Sequence, residues 1–460
     1  MLLLFASVIF IHVFLLINTK FTLWPEMVVY PYLINENFAL YRDIINPYQP
    51  AFAYALSIFS KFFGYNPVAF RTLTTSIILI IDLLIYVTTF KITKSKTAAL
   101  VSILFFSIFS IPFGVNELWY DLVQTPFILL SVYFFHKFLK EGNKKHLFFS
   151  FLIMTITFFI KQQAVWFLAW MTLILFLKEK KSIKTFIKDN YFIYLPFLII
   201  LLLHILFFST KGLLGNYIYW TFTFPFLKAS SLPGYVLFPA KRQILSVLIL
   251  VSLFSFSLLK EKTKYAFIFG SSVVLLMFAY PRFDYFHLIP SFAVLSLLAY
   301  SSFKNILGSK PLLIIGLLIF LALSIFGFRY YLKNWTKEIR FFDKDIYQAA
   351  LYISLLTNKG EAIFIQNGPD QLYPLTHTVP SKPWATQFPW YLELEGVQES
   401  LVSGLVSQKP RYIFYKKYDE GKKYNIGSYR PDIFASYIDL NYIDIIPASY
   451  NLFLRQKHEN

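Results

Sequence analysis

The chain has 460 residues, of which 57% are hydrophobic, 20% aromatic and only 15% charged, against about 25% charged residues in soluble domains. It contains no cysteine, which excludes disulfides, thiolate metal sites and thiol catalysis. The net charge of +18 would suit a nucleic-acid binder, but its distribution argues against one. Residues 1–328 carry 27 basic and 11 acidic residues, whereas residues 329–460 carry 16 and 14.

Apolar runs near the ~20 residues that a helix needs to cross a bilayer recur through the first three quarters of the chain. They predict eleven transmembrane helices, at 2–17, 70–90, 97–113, 119–136, 147–160, 164–177, 191–208, 242–259, 265–280, 287–303 and 311–328. The first run has no basic segment before it and no small-residue cleavage pattern after it, so it reads as a retained helix. Counted from an N-terminus inside, alternate loops collect 17 of the 27 basic residues, among them Lys91, Lys94, Lys137, Lys140, Lys184 and Lys310. Positive charge is retained on the cytoplasmic side, so the expected topology is N-in and C-out. Loops 18–69 and 209–241 are then the long outer ones. Each holds an aromatic stretch, 52–63 and 217–226, able to lie flat at the interface.

From residue 329 hydrophobic runs shorten to strand length. Segments 361–366, 411–415 and 442–446 read as strands, 343–356, 397–408 and 431–438 as helices, and 448–455 as a further antiparallel strand. Strands alternating with helices indicate a small α/β domain. The expected fold class is therefore a polytopic all-α membrane domain over 1–328 followed by an extracytoplasmic α/β domain over 329–460.

Six of the eleven acids before residue 329 fall in outer loops or at outer helix ends: Glu26, Glu36, Asp43, Glu117, Asp121 and Asp284. Lys161, Arg282 and His287 map to the same boundary. Ionisable groups at membrane depth are costly and face a cavity or a partner, so several at one depth point to a shared polar site. Plainer readings apply to each residue alone. Asp43 beside Arg42 can form a structural ion pair, Lys161 can snorkel to the interface, and Asp82, inside a span, reads as a helix-packing acid. Glu117 and Asp121, four apart, would share a face if both were helical.

Several short patterns are carried in order: acids in the first loop with Tyr41-Arg42-Asp43-Ile44 and Pro50, then Phe63-Gly64 with Arg71, then Asp121, Lys161-Gln162, and Pro281-Arg282 with His287 and Pro290. In this the chain resembles the GT-C glycosyltransferases, in the branch of protein O-mannosyltransferases and the lipid A aminoarabinose transferase. One departure is the Pro25-Glu26 pair, where the family often has Asp-Glu. The resemblance implies an inverting enzyme of the cell membrane that moves a sugar from a polyprenyl-phosphate donor to a lipid, polysaccharide or protein acceptor on the extracytoplasmic face. It implies Asp43, Glu26 and Asp121 as catalytic carboxylates, and Lys161, Arg282, His287 and Arg42 as ligands of the donor phosphate. No metal cluster and no cofactor are read from the sequence, although two outer carboxylates could hold a divalent ion. Membrane lipids, not nucleic acid, are the expected surroundings. The competing classes are a flippase for lipid-linked saccharides, disfavoured by the lack of paired repeats, and a non-catalytic scaffold.

Overall fold

In the computed structural model the chain divides into two compact units, each assembled from separate stretches. The first comprises residues 1–22, 71–206 and 238–338, the second 23–70, 207–237 and 339–460. The structure describes residues 1–232, 235–384, 389–415, 431–447 and 453–457.

All eleven apolar segments are helical over most of their length. Four of the helices are long and apolar enough to cross a membrane: Pro67–Thr93, Tyr120–Glu141, Leu258–Ala279 and Lys310–Asn334. The number rises to six if the bent pairs Ile183–Ile193 with Leu195–Thr210, and Tyr285–Ser296 with Ala299–Leu307, each count as one span. Others, such as Lys96–Phe109 with 14 residues, fall short of the ~30 Å hydrocarbon core at 1.5 Å per residue. The chain is a multi-pass membrane protein. Its lipid-facing surfaces follow from that. On Lys310–Asn334, Ile314, Leu317, Leu318 and Leu321 are each more than half exposed, a patch that water would not tolerate.

In the first unit, Tyr120–Glu141 and Lys144–Ile160 form an antiparallel pair. Gly142, with φ of +70°, closes the first helix, and the Asn143 side chain caps the second by accepting from the Lys145 amide. Ser131 and Ser150 hydrogen-bond across the pair at 2.9 Å, since small residues let two backbones approach. Asp82 is fully buried and its Oδ2 accepts from His12 Nδ1 at 2.7 Å. It thus ties helix Leu2–Asn18 to Pro67–Thr93 as a packing acid. Removing one partner strands a buried polar group, whereas removing both does not. Asp82→Leu or His12→Phe alone is therefore expected to destabilise the protein by about 3 kcal/mol, and the double substitution by clearly less. Thermal unfolding of the three variants in detergent checks this.

The second unit contains a four-stranded sheet in the order Phe364–Gln366, Tyr412–Tyr415, Phe453–Lys457, Tyr442–Pro447. The first two strands are parallel and the remaining pairings antiparallel. A parallel pair needs a long crossover, and helix Val397–Gln408 lies within it. Helices Lys344–Leu356 and Asp432–Asn441 form close to where the sequence places them. The anticipated strand 448–455 is observed from Phe453, and 448–452 lie outside the described residues.

Both faces of this sheet are covered. Phe364 and Ile413 pack with Leu405, Phe434 and Ile438. On the alternate positions, Ile363, Ile365 and Phe414 join a larger cluster with Tyr30, Tyr32, Tyr41, Ile44, Phe208 and Tyr217. The two long loops thus share a core with the sheet. Stretches 23–70 and 207–237 fall in the second unit together with 339–460. Helix Pro50–Phe63 buries Phe52, Ala53 and Leu56 and leaves Ile58, Phe62 and Phe63 exposed. The helix thus carries an apolar outer face opposite its packed one.

Candidate functional site

Lys161 sits where a helix stops. Lys144–Ile160 ends, Lys161 takes an extended conformation (φ −153°, ψ 125°), and a short turn Gln162–Ala164 leads into Val165–Glu179. A helix end leaves carbonyls without partners, and here glutamines satisfy them. Gln124 Nε2 donates to the carbonyls of Thr157 at 3.1 Å and Lys161 at 2.9 Å. Gln163 Nε2 donates to the carbonyls of Phe278 at 3.1 Å and Tyr280 at 2.6 Å, drawing the segment before His287 towards the same place. His287 lies in the 3-10 turn Tyr285–Leu288, which Asp284 caps by accepting from the Tyr285 amide at 2.7 Å.

These elements bring Asp121, Lys161 and His287 together in the first unit. Lys161 Nζ donates to Asp121 Oδ2 at 2.7 Å, and His287 Nδ1 approaches the same oxygen at 2.8 Å. Lys161 Nζ is also 3.4 Å from His287 Nδ1. An ammonium offers only donors and a carboxylate only acceptors. The Nδ1 position therefore carries the hydrogen and donates to Asp121, leaving Nε2 as the second ring position for a ligand. The side chains of Asp121 and Lys161 are 0% and 3% exposed. Asp121 Oδ1 is buried with no hydrogen-bond partner, an open acceptor within the cluster. Three residues separated by 40 and 126 positions thus share one oxygen.

The cluster depends on a close approach of backbone. Gly114, with φ of +84°, lies against the turn that carries His287, and a Cβ there would stand 2.8 Å from the Phe286 nitrogen. Gly114→Ala combines left-handed strain, about 1–3 kcal/mol, with a backbone clash. It is expected to lower stability by at least that amount and to reduce any activity that depends on His287. Unfolding and rate measurements on this variant check both.

The other site candidates separate by unit. Arg282 is half-buried in the first unit, in the segment before the His287 turn. Glu26, Arg42 and Asp43 belong to the second unit. Asp43 is heavily engaged. Arg42 grips it with Nε at 2.9 Å from Oδ1 and Nη2 at 3.0 Å from Oδ2. The Ala39 amide donates to Oδ2 at 2.8 Å, and Lys382 Nζ lies 3.7 Å away. Burial pushes the Asp43 carboxyl up, but the Arg42 and Ala39 hydrogen bonds and the charges of Arg42 and Lys382 outweigh it and hold it below its ordinary value. Glu26 is the opposite case. It opens helix Glu26–Asn35, is 6% exposed, and its Oε2 has no partner. Burial raises its pKa to about 7, against a smaller lowering by a backbone hydrogen bond.

Some expectations change on these observations. Glu117 lies in the short strand Glu117–Leu118 and the helix begins at Tyr120, so Glu117 and Asp121 share no helical face. Lys161 is buried in an ion pair and does not snorkel. Gln124 was missed, though a polar residue one turn after Asp121 in an apolar helix was a usable signal. Lys382 carried none, standing more than 300 residues from Asp43. Among the described residues no group of three His, Asp or Glu side chains is arranged to hold a metal.

Comparison with known proteins follows this geometry. The family model described as dolichyl-phosphate-mannose-protein mannosyltransferase matches residues 46–211, about a third of the chain. The structure is similar to that of ArnT from Cupriavidus metallidurans bound to undecaprenyl phosphate, with a TM-score of 0.60 and 10% identity, covering 99% of this chain and 97% of that one. It is also similar to the Archaeoglobus fulgidus oligosaccharyltransferase tethered to an acceptor peptide with the NVT sequon. There the TM-score is 0.56 and identity 11%, over 100% of this chain and 74% of that one. The chain shares the fold of these membrane proteins. At such low identity the likeness establishes the architecture and leaves the chemistry to the residues. No curated protein sequence matches the chain. Among the described residues, Asp121, Lys161 and His287 form a buried polar cluster at the ends of three apolar segments.

Proposed function

We propose that the protein is an inverting glycosyltransferase that moves a sugar from a polyprenyl-phosphate donor to an acceptor hydroxyl on the extracytoplasmic side of the cell membrane. The observation that carries this reading is the Asp121–Lys161–His287 cluster, buried in a chain of GT-C fold and holding one unpartnered carboxylate oxygen. Lys161 and His287 bind the donor phosphate, with Arg282 of the same unit as a further cationic ligand. They stabilise the charge that grows on the phosphate as its bond to the anomeric carbon breaks. Asp121 orients Lys161 and His287, and its open oxygen accepts a hydroxyl hydrogen of the substrate.

The acceptor oxygen attacks the anomeric carbon from the face opposite the phosphate and loses its proton to a carboxylate. Two residues compete for that role. A base works best with a pKa near the working pH. Asp43 is held below the ordinary carboxylate value, with its oxygens engaged by Arg42, Ala39 and Lys382. Glu26 has a pKa of about 7 and a free oxygen. Glu26 is therefore assigned as the base, and Asp43 as the residue that fixes its loop through Arg42 and the Trp384 amide, which donates to the Asp43 carbonyl at 2.8 Å. The scheme draws on no cofactor.

Purified protein in liposomes, supplied with a polyprenyl-phosphate sugar labelled in the sugar, separates this reading from transport. Label appearing on acceptor, with release of polyprenyl phosphate, supports transfer. Intact labelled lipid crossing the bilayer without chemical change supports a flippase instead.

A further inference from the structure

Helix Tyr120–Glu141 carries the Asp121 cluster at its start and a different polar feature at its end. Tyr133, His136, Lys137 and Lys140 are spaced i, i+3, i+4 and i+7, a single stripe on one helix face. The stripe borders a cavity of about 250 Å³, whose opposite wall is formed by Lys91 and Lys94 at the end of helix Pro67–Thr93. At 1.5 Å per residue, the 16 positions from Asp121 to Lys137 span about 24 Å. The cavity therefore lies towards the membrane face opposite the Asp121 cluster, and all of its residues belong to the first unit.

Four lysines face one carboxylate here. Glu141 lies 3.8 Å from Lys137 and 3.2 Å from His146, which leaves a clear excess of positive charge around a small enclosed space. Retention of lysines on one membrane face explains their sign but not their convergence. Lys94, just after the end of helix Pro67–Thr93, brings a further charge to the cavity lining. The volume is below the ~300 Å³ of sites for drug-sized ligands and suits a compact headgroup.

We infer that the cavity between Lys91, Lys94, Lys137 and Lys140 binds a phosphate-bearing anion. Its chemistry is that of an anionic phospholipid headgroup or of a soluble phosphate presented at the same face. Basic pockets between membrane helices recognise such groups through summed charge and ammonium hydrogen bonds. The site is independent of the sugar-transfer reading, because it shares no residue with the Asp121 cluster.

The test uses the full chain, delipidated in neutral detergent and titrated with phosphatidylglycerol under native mass spectrometry. Phosphatidylcholine is the neutral probe. The combined Lys91→Gln, Lys94→Gln, Lys137→Gln and Lys140→Gln variant is compared with a control carrying Lys145→Gln, Lys180→Gln, Lys184→Gln and Lys188→Gln. The pocket variant is expected to lose phosphatidylglycerol affinity by at least about tenfold, with the control close to the unmodified protein. Glu141→Gln, which deletes the one opposing charge, is expected to bind phosphatidylglycerol more tightly, and it serves where the fourfold variant does not fold. Inorganic phosphate that displaces the lipid at millimolar concentration identifies a soluble source. Failure to displace it identifies the headgroup. Equal phosphatidylglycerol affinity in the pocket and control variants overturns the proposal, as does unchanged affinity in Glu141→Gln.

Discussion

Lys161→Met is expected to abolish sugar transfer and to cost about 3 kcal/mol of stability. Two separate causes act. Transfer fails because the ammonium that holds the departing phosphate is gone, and one such charge-assisted contact is worth roughly 10²–10³ in rate. Stability falls because Asp121, fully buried, then depends on His287 alone for compensation. The two effects can be pulled apart. Asp121→Asn added to Lys161→Met removes the stranded carboxylate and is expected to recover most of the stability while transfer stays absent. A double variant that regained both would mean that the cluster only holds the helices together. Unfolding curves and single-turnover rates on the single and double variants provide the comparison.

Glu26→Gln is expected to lower the rate by about 10²–10⁴, while Asp43→Asn acts chiefly on stability. Glu26 also predicts a pH signature. Its folded pKa of about 7 stands above the ordinary value of 4.5, so the folded state binds this proton more tightly than the unfolded chain. The stability this provides is complete below about pH 4.5 and is lost as the pH rises through 7. The shift corresponds to at most about 3 kcal/mol. Glu26→Gln removes this window, so the variant should be less active yet at least as stable as the parent protein at pH 8. Asp43 has the opposite sign. Its folded value is lowered, so its contribution is present at neutral pH and is lost as the pH falls through that lowered value. Retained activity in Glu26→Gln together with loss in Asp43→Asn would reverse the assignment of the base.

The parts of the fold that hydropathy controls were legible from residue types. All eleven apolar segments are helical over most of their length, and the four to six that qualify as spans are so because chain in hydrocarbon must satisfy its backbone internally. The short strands at 364–366 and 412–415 were legible because β-branched and aromatic runs bounded by polar residues read as buried strands. The cluster was legible in part. Asp121, Lys161 and His287 stood out as ionisable residues at the ends of apolar segments, whereas Gln124, which bonds the carbonyls at the Lys161 break, did not. What a linear reading lacks is the partner. For Asp43 the Arg42 ion pair was readable from adjacency, but the Ala39 amide and Lys382, which further engage it, were not. Likewise Tyr217, at the start of the aromatic stretch 217–226 expected at the interface, instead stacks on Phe208 with centroids 4.4 Å apart, inside the core that covers the sheet. Such long-range pairings leave no periodic trace in sequence.

The central claim is that the buried Lys161 cluster receives the phosphate of a polyprenyl lipid. Titration of the purified protein with polyprenyl phosphate, alongside the Asp121→Asn, Lys161→Met double variant as a folded control, tests it most directly. Saturable binding by the unmodified protein, weakened at least about a hundredfold in the double variant, is the predicted result. Equal affinity in the two proteins would contradict it.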